Sequence, residues 1–288
     1  MNNAASNEQD CEKEGIGRRR LLISANEILE QSPLPVECLP SNESLIDRFA
    51  SLLLADYRSA LAGGRDRVLF IVPVGPVGQF DTMVELAGGA SLDRLTLILM
   101  DEYLGDDGNW ISETDPLSFR SHAHRVFSSL PETRRPEIVV PNPALTKEVG
   151  RLIEAGGGVD VCYGGVGITG HLAFNDPVAG LEDPDAFAML ETRVVALSRE
   201  TRLINSVTAC RGNVDRIPAS AVTVGMKEIL GARRIRIFMN RDWQCAAIRK
   251  MLFGEITGSF PASLVRRHDC ASVHVVEGVL DLPEPTLR

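Results

Sequence analysis

Short apolar runs that alternate with helical segments restrict the fold of this chain more than any other feature. The run Val68–Val72 is apolar throughout and Leu95–Met100 nearly so, which is typical of strands covered on both faces. Further strand candidates lie at 159–163, 194–197, 235–239 and 273–276. Segments between them, such as 44–61, carry apolar residues at helical spacing. This order predicts a doubly wound, Rossmann-type α/β fold, with a mostly parallel sheet flanked by helices on both faces.

The 288 residues are enough for one large domain or two small ones. Residues 33–288 show no internal repeat and no low-complexity linker, which favours a single domain. Residues 1–32 are predicted to form a flexible N-terminal tail, because the sequence before Arg18 is polar, charged and without pattern. A short helix over Leu21–Leu29 is compatible with this sequence.

The composition excludes several kinds of partner. A net charge of −9 and an isoelectric point near 5.2 argue against nucleic acid binding, which needs a basic face. No apolar run approaches the roughly 18–20 residues that span a bilayer. The six cysteines are scattered without a C-x-x-C pair, which favours a reduced, cytoplasmic compartment. We expect a cytoplasmic homo-oligomer that acts on a small molecule, with no nucleic acid, membrane, metal or cofactor.

Candidate chemistry follows three of the predicted strands. The segment Gly164–Pro177 has four glycines in its first seven positions, followed by His171 and Asp176. Asp101 and Glu102 come directly after another strand, and Pro73–Gly78 follows a third. Ligands of open parallel sheets bind beyond the carboxyl ends of the strands, so these segments are expected at one rim. There are alternatives in which these residues have no catalytic role. The first motif would then be a glycine-rich turn with a surface histidine, and Asp101 and Glu102 would only cap a loop.

Two motifs carry a resemblance to a known family. Met100-Asp-Glu-Tyr103 and Gly164-Gly-Val-Gly-x-x-Gly-His-x-Ala-Phe-Asn-x-Pro177 resemble those of the glucosamine-6-phosphate deaminase/isomerase family. The similarity continues through Thr201–Ser206, Ile217-Pro218 and Ala221–Gly225, and it covers about residues 36 to 278. The related 6-phosphogluconolactonases share that fold but have a different acidic motif.

The resemblance implies roles for particular residues. Asp101 would move the proton between C1 and C2 of an open-chain amino sugar, while His171 and Asp176 would open the ring. Glu102 joins these three in the candidate catalytic set. The candidate substrate-binding residues are Gly75, Val77, Gly167, Thr169, Gly170, Asn175, Arg202 and Gln244. We expect Asp101, His171, Asp176 and Arg202 to line one cavity.

The sequence departs from the family pattern at the expected phosphate site. Pro73-Val-Gly-Pro-Val-Gly78 replaces a hydroxyl-rich loop, and Gln244 stands where the family has a lysine. Thr169 replaces an aspartate, and Asp176 replaces the usual glutamate. The lost donors correspond to roughly 3–6 kcal/mol of phosphate binding. Glucosamine 6-phosphate should therefore bind weakly, unless Arg241 or Arg249 replaces the lysine.

The function predicted from these residues is an amino-sugar (phosphate) isomerase/deaminase, a hydrolase of C–N bonds that needs no cofactor. It would open the sugar ring, transfer a proton between C1 and C2 and release ammonia, on an altered substrate. One alternative is a sugar-binding or regulatory protein that has lost catalysis. Another is a lactonase-like hydrolase of the same fold, in which His171 acts on water and Asp101 is dispensable.

Overall fold

The computed structural model describes residues 20–284. Most of the predicted flexible tail, residues 1–19, lies outside these described residues. The prediction also placed residues 25–31 in the tail, but helix α1 (Ala25–Gln31) packs its fully buried Ile28 against the core. Ser24 begins this helix with a capping box, in which Ser24 and Glu27 each accept a hydrogen bond from the other's backbone N–H.

Seven parallel strands form the central sheet, in the order β1-β10-β9-β6-β2-β3-β5. They are β1 (Val36–Leu39), β2 (Val68–Val72), β3 (Leu95–Leu99), β5 (Glu137–Val139), β6 (Val161–Gly164), β9 (Ile235–Met239) and β10 (Ala271–Val276). A smaller antiparallel sheet has the order β4-β8-β7. Its strands are β4 (Asp101–Leu104), β7 (Arg193–Ala196) and β8 (Ser220–Thr223).

Helices cover both faces of the central sheet. The longer ones are α2 (Asn42–Ala62), α3 (Gln79–Ala87), α4 (Phe119–Phe127), α5 (Lys147–Ala155), α7 (Arg199–Ala209) and α9 (Cys245–Phe253). The short ones are α6 (Pro184–Ala188), α8 (Met226–Leu230) and α10 (Glu277–Leu280), with 3-10 turns at Glu132–Arg134, Val214–Arg216, Asp242–Gln244 and Pro261–Arg267. No helix in the described range is long and apolar enough to cross a membrane.

The alternation of side chains along the strand explains why β2, in the middle of this sheet, is apolar throughout. In β2, Leu69 and Ile71 belong to one apolar cluster, with Ile248 and Met251 of α9. Phe70, between them, belongs to a second cluster on the opposite face, together with residues of α2 and α3. Successive strand residues point to opposite faces, so burial of both faces leaves no position for polar alternation.

The predicted α/β fold with a mostly parallel sheet is confirmed. One predicted strand lies elsewhere: 194–197 corresponds to β7, which belongs to the small antiparallel sheet. The burial of β7 alternates along the strand and Val194 is exposed, unlike the central strands. Strands β1, β4, β5 and β8 were not predicted from the sequence.

Candidate functional site

A cavity of about 420 Å³ lies at the carboxyl ends of four central strands. Its walls come from the segments after β2, β3, β6 and β9. They include residues 73–77, Met100, Asp101, Tyr103, residues 165–167, His171, Asn240, Arg241 and Gln244. Helix α7 adds Asn205, Thr208 and Ala209. This is the edge at which open parallel sheets bind ligands. A second cavity, of about 310 Å³ between α5 and α8, contains none of the predicted site residues.

Asp101 is the first residue of β4 and lines the cavity. The backbone beside it is fixed, because Met100 N–H donates to the Val72 carbonyl (2.9 Å) and Val224 N–H donates to the Met100 carbonyl (2.7 Å). Burial, with the neighbouring Glu102 carboxylate, raises the pKa of Asp101 to about 8. A carboxyl group with that pKa can both accept and return a proton in mildly alkaline solution.

Glu102 does not line the cavity, although the sequence placed it in the catalytic set. As the next residue of the strand it points to the opposite face, where it is fully buried. Its carboxylate accepts hydrogen bonds from Ser118 Oγ (3.0 Å) and from the backbone N–H groups of Phe119 (3.2 Å) and Arg120 (2.8 Å). Glu102 therefore caps the N-terminus of α4 and acts on Asp101 only through its charge.

His171 lines the cavity and is held from behind by Asp176. The distance from His171 Nδ1 to Asp176 Oδ1 is 2.9 Å. The same oxygen accepts hydrogen bonds from the hydroxyls of Thr169 and Thr201, each at 2.7 Å. Burial alone would raise the pKa of Asp176, but the hydrogen bonds from His171, Thr169 and Thr201 outweigh it and hold this pKa well below its usual range.

This network determines which nitrogen of His171 can exchange a proton. Because an ionised carboxylate only accepts, the proton on the Asp176 side belongs to Nδ1. Nε2 is then the nitrogen that can take a proton from a ligand and return it. Gly167 is required at this point, since a Cβ atom there would overlap with His171 Nε2.

Gly170 and Asn175, predicted to bind substrate, shape the loop and do not line the cavity. Gly170 has a φ of +83°, and a Cβ atom there would lie 2.5 Å from the Phe260 ring. The buried Asn175 amide donates to the carbonyls of Leu172 (2.9 Å) and Val224 (2.8 Å). Thr169 also lies outside the cavity wall, and its hydroxyl contacts Asp176.

Only some of the residues expected at the phosphate end line the cavity. Gly75, Val77 and Gln244 line the cavity, whereas Arg202 does not. Arg202 Nη2 instead donates to the Ile217 carbonyl at 3.2 Å, so the prediction that it lines the cavity is wrong. Asp176, predicted to line the same cavity, lies behind His171 and is not part of the wall either. The Gln244 amide accepts from the backbone N–H of Arg241 (2.9 Å) and donates to the Val166 carbonyl (2.7 Å), which ties two loops together.

Several residues near the site were not selected from the sequence. Tyr103 lines the cavity and accepts a hydrogen bond from Asn205 Nδ2 at 2.9 Å. It lies two residues after Asp101 in β4, so strand alternation could have identified it. Asn205 follows Thr201 by one helical turn in α7, which places both on one helix face. His122 of α4 also lines the cavity, and no pattern in the sequence indicates this.

Comparisons with solved structures agree with the observed fold. A monomeric glucosamine-6-phosphate deaminase superposes with a TM-score of 0.72 and 24% identity, covering 86% of this chain and 99% of its own. The 6-phosphogluconolactonase from Plasmodium vivax superposes with a TM-score of 0.65 and 14% identity, covering 88% and 95% of the two chains. At these identities both likenesses concern the fold.

Comparisons of sequence identify the relatives of this chain. No family model matches it. The glucosamine-6-phosphate deaminase of Bacillus velezensis is 29% identical over 244 residues, which cover 82% of this chain and 94% of the relative. The glucosamine-6-phosphate deaminase of Porphyromonas gingivalis is 30% identical over 207 residues, which cover 68% and 74%. The chain therefore belongs to the glucosamine-6-phosphate deaminase family.

Proposed function

We propose that this protein is an amino-sugar isomerase/deaminase that converts a 2-amino aldose into a ketose and ammonia. Asp101 is the base for C1–C2 proton transfer, and His171, held by Asp176, opens the ring. The observation that carries this proposal is that Asp101 and His171 line one cavity, and that of the two only His171 is hydrogen-bonded to Asp176. Family membership supports the same reaction class.

Ring opening is assigned to His171 because only its Nε2 is free of the Asp176 network. In this step Nε2 takes the proton from the C1 hydroxyl and delivers it to the ring oxygen, and the bond between C1 and the ring oxygen breaks to leave an aldehyde. Asp176 keeps the imidazole oriented and stabilises its protonated form. Asp176 is thus a positioning residue, as are Thr169 and Thr201, which donate to it.

Proton transfer is assigned to Asp101. Its carboxylate removes the proton from C2, which gives a 1,2-enolamine, and then returns that proton to C1. The resulting imine at C2 adds water and releases ammonia, which leaves a ketose. The two carboxyl groups suit different tasks because their environments move their pKa values in opposite directions, up for Asp101 and down for Asp176.

The far end of the substrate is proposed to be held by other residues than the phosphate loop of the family. Val74, Pro76 and Val77 line the cavity without a side-chain donor, and both ends of the Gln244 amide are used within the protein. The family's manner of holding a phosphate is therefore not reproduced at these positions.

The test is to incubate the purified protein with glucosamine 6-phosphate, glucosamine and 2-amino-2-deoxyglucuronate, and to measure ammonia and ketose. We expect the wild type to form ammonia and ketose in equal amounts from at least one sugar. The Asp101→Asn variant should form neither product. Hydrolysis of 6-phosphogluconolactone without ammonia release would support the lactonase alternative. Binding of sugars without any product would support a protein that has lost catalysis. Either result would overturn the proposal.

A further inference from the structure

Val74, Pro76 and Val77 form one end of the cavity and offer a ligand no side-chain hydrogen bond. Recognition of a polar ligand at this end therefore depends on other residues. Pro76 has no backbone N–H, and the two valines carry no polar atoms. The amide of Gln79, directly after this loop, donates from Nε2 to the carbonyls of Pro73 (3.1 Å) and Val74 (2.8 Å). Gln79 therefore braces the loop from within and is itself fully buried.

Among the described residues that line this cavity, Arg241 is the only lysine or arginine. It follows β9, three residues before Gln244, and its side chain is exposed. In residues 20–284 its guanidinium has no hydrogen-bond or ion-pair partner, whereas the backbone N–H of Arg241 donates to Gln244 Oε1. A free guanidinium presents parallel N–H donors that match the oxygens of a carboxylate or a phosphate.

The other arginine considered from the sequence cannot play this part. Arg249 is fully buried, and its guanidinium donates to four backbone carbonyls. It does not line the cavity. Of the two alternatives, the structure leaves Arg241.

His122 supplies a second donor. Arg125 Nη2 lies 2.9 Å from His122 Nδ1, and because a guanidinium only donates, Nδ1 is the acceptor. The proton of the neutral ring is therefore on Nε2, a buried atom with no partner among the described residues. Burial, followed by the charge of Arg125, lowers the pKa of His122 despite the opposing effect of Asp81. Asp81 lies in the first turn of α3, directly after the valine-lined loop, and α3 packs against α4, the helix that carries His122.

We propose that Arg241 and His122 form an oxyanion subsite that replaces the family's phosphate loop. The ligand class is an amino sugar that carries a phosphate monoester or a carboxylate at its unreactive end. Arg241 supplies the charge and a pair of N–H donors, and His122 Nε2–H supplies a neutral donor. This inference rests on the proposed function, since it takes an amino sugar as the occupant of the cavity.

The test is titration calorimetry in an Asp101→Asn background, which prevents turnover. Glucosamine 6-phosphate, 2-amino-2-deoxyglucuronate and glucosamine are the three ligands, so the first two separate a phosphate from a carboxylate. At least one acidic sugar should bind about 10-fold or more tightly than glucosamine. Arg241→Gln should weaken that binding about 10- to 100-fold, and His122→Phe about 5-fold, while His122→Gln should retain part of it.

Arg58→Gln provides the matched control, because Arg58 is an exposed arginine of α2 outside the cavity wall. It should leave all three affinities unchanged, and thermal melts should show all variants folded. Equal binding of glucosamine and the acidic sugars, or an acidic sugar unaffected by Arg241→Gln, would overturn the subsite and leave the proposed function standing. Absence of binding by every sugar would overturn both.

Discussion

At the scale of single residues, the site depends on giving two aspartates opposite properties. Asp101 lies in a half-buried position beside another carboxylate, while Asp176 receives hydrogen bonds from two hydroxyls and an imidazole. A carboxyl group with a raised pKa is a better base once ionised, and one with a lowered pKa remains charged beside its histidine. Each environment leads to a separate prediction.

The raised pKa of Asp101 predicts a pH dependence. Below about pH 8 this carboxyl group keeps its proton in the free protein and cannot act as a base, so kcat/KM should fall as the pH falls through about 8. Glu102→Gln removes the neighbouring charge and should move this limb to lower pH. The measurement is kcat/KM against pH at constant ionic strength. A limb near the ordinary aspartate pKa, about 4, would contradict the assignment.

The contact between Thr169 and Asp176 predicts that the family's aspartate cannot be restored at position 169 without loss of activity. Its hydroxyl lies 2.7 Å from Asp176 Oδ1, so Thr169→Asp would bring two carboxylates together and force one of them to keep a proton. We expect turnover of the cyclic sugar to fall by about 10-fold or more, the scale of lost acid–base assistance. Thr169→Val, which removes only the hydroxyl, is the control and should cost less. Higher activity in Thr169→Asp than in the wild type would show that the network is misassigned.

At the scale of elements, strand β4 connects the catalytic cavity to a helix. Asp101 faces the cavity from this strand, while Glu102 on its other face receives the first N–H groups of α4. That helix carries His122 to the wall of the same cavity. A change at Glu102 should therefore affect stability as well as the pH profile.

Glu102→Gln is expected to destabilise the fold. The amide presents an NH2 group where one carboxylate oxygen now accepts from Ser118 Oγ and the Arg120 N–H. The loss should be about 1–2 kcal/mol, or a few degrees in Tm, since relief of a buried charge offsets part of it. Thermal melts measure this, and Glu113→Gln, an exposed change on the neighbouring loop, is the control. An unchanged Tm would mean that Glu102 does not cap α4.

The elements also show what the sequence can predict. β2 and β3 were predicted because strands buried on both faces are almost purely apolar. β4 and β8 were missed because they are short and mixed in polarity, and they are stabilised by pairing with each other. Asp101 and His171 were found because each follows a predicted strand. Thr201 reaches the site through contacts with Asp176 and His171, which lie 25 and 30 residues earlier in the sequence, and no local pattern reveals these contacts.

At the scale of the whole molecule, Arg249 joins the two ends of the described chain. Its Nε donates to the Ile23 carbonyl (2.8 Å), and its terminal nitrogens donate to the carbonyls of Cys245 (2.8 Å), Leu280 (2.8 Å) and Asp281 (2.9 Å). The segment before α1, helix α9 and the end of α10 are thereby held together. The flexible tail predicted over residues 1–32 stays untested at residues 1–19, and the single domain over 33–288 stays a prediction.

Arg249→Met is expected to lower stability without changing ligand binding. The methionine fills part of the volume but leaves four carbonyls without their donor, which should cost about 3 kcal/mol or more. Thermal melts and the calorimetric titration together measure this, and Arg241→Met is the matched control. The control should keep the Tm and lose binding. Weaker binding by Arg249→Met at an unchanged Tm would place Arg249 in the ligand site.

The central claim is the division of work between Asp101 and His171, and paired kinetics of two variants test it most directly. With the sugar that the wild type turns over, ammonia release by Asp101→Asn should fall by about 10³-fold or more, because an amide cannot accept the C2 proton. His171→Gln should slow the cyclic sugar but spare the same compound supplied as its open chain. Ammonia release by Asp101→Asn near the wild-type rate, or equal losses by His171→Gln on both forms, would contradict the account.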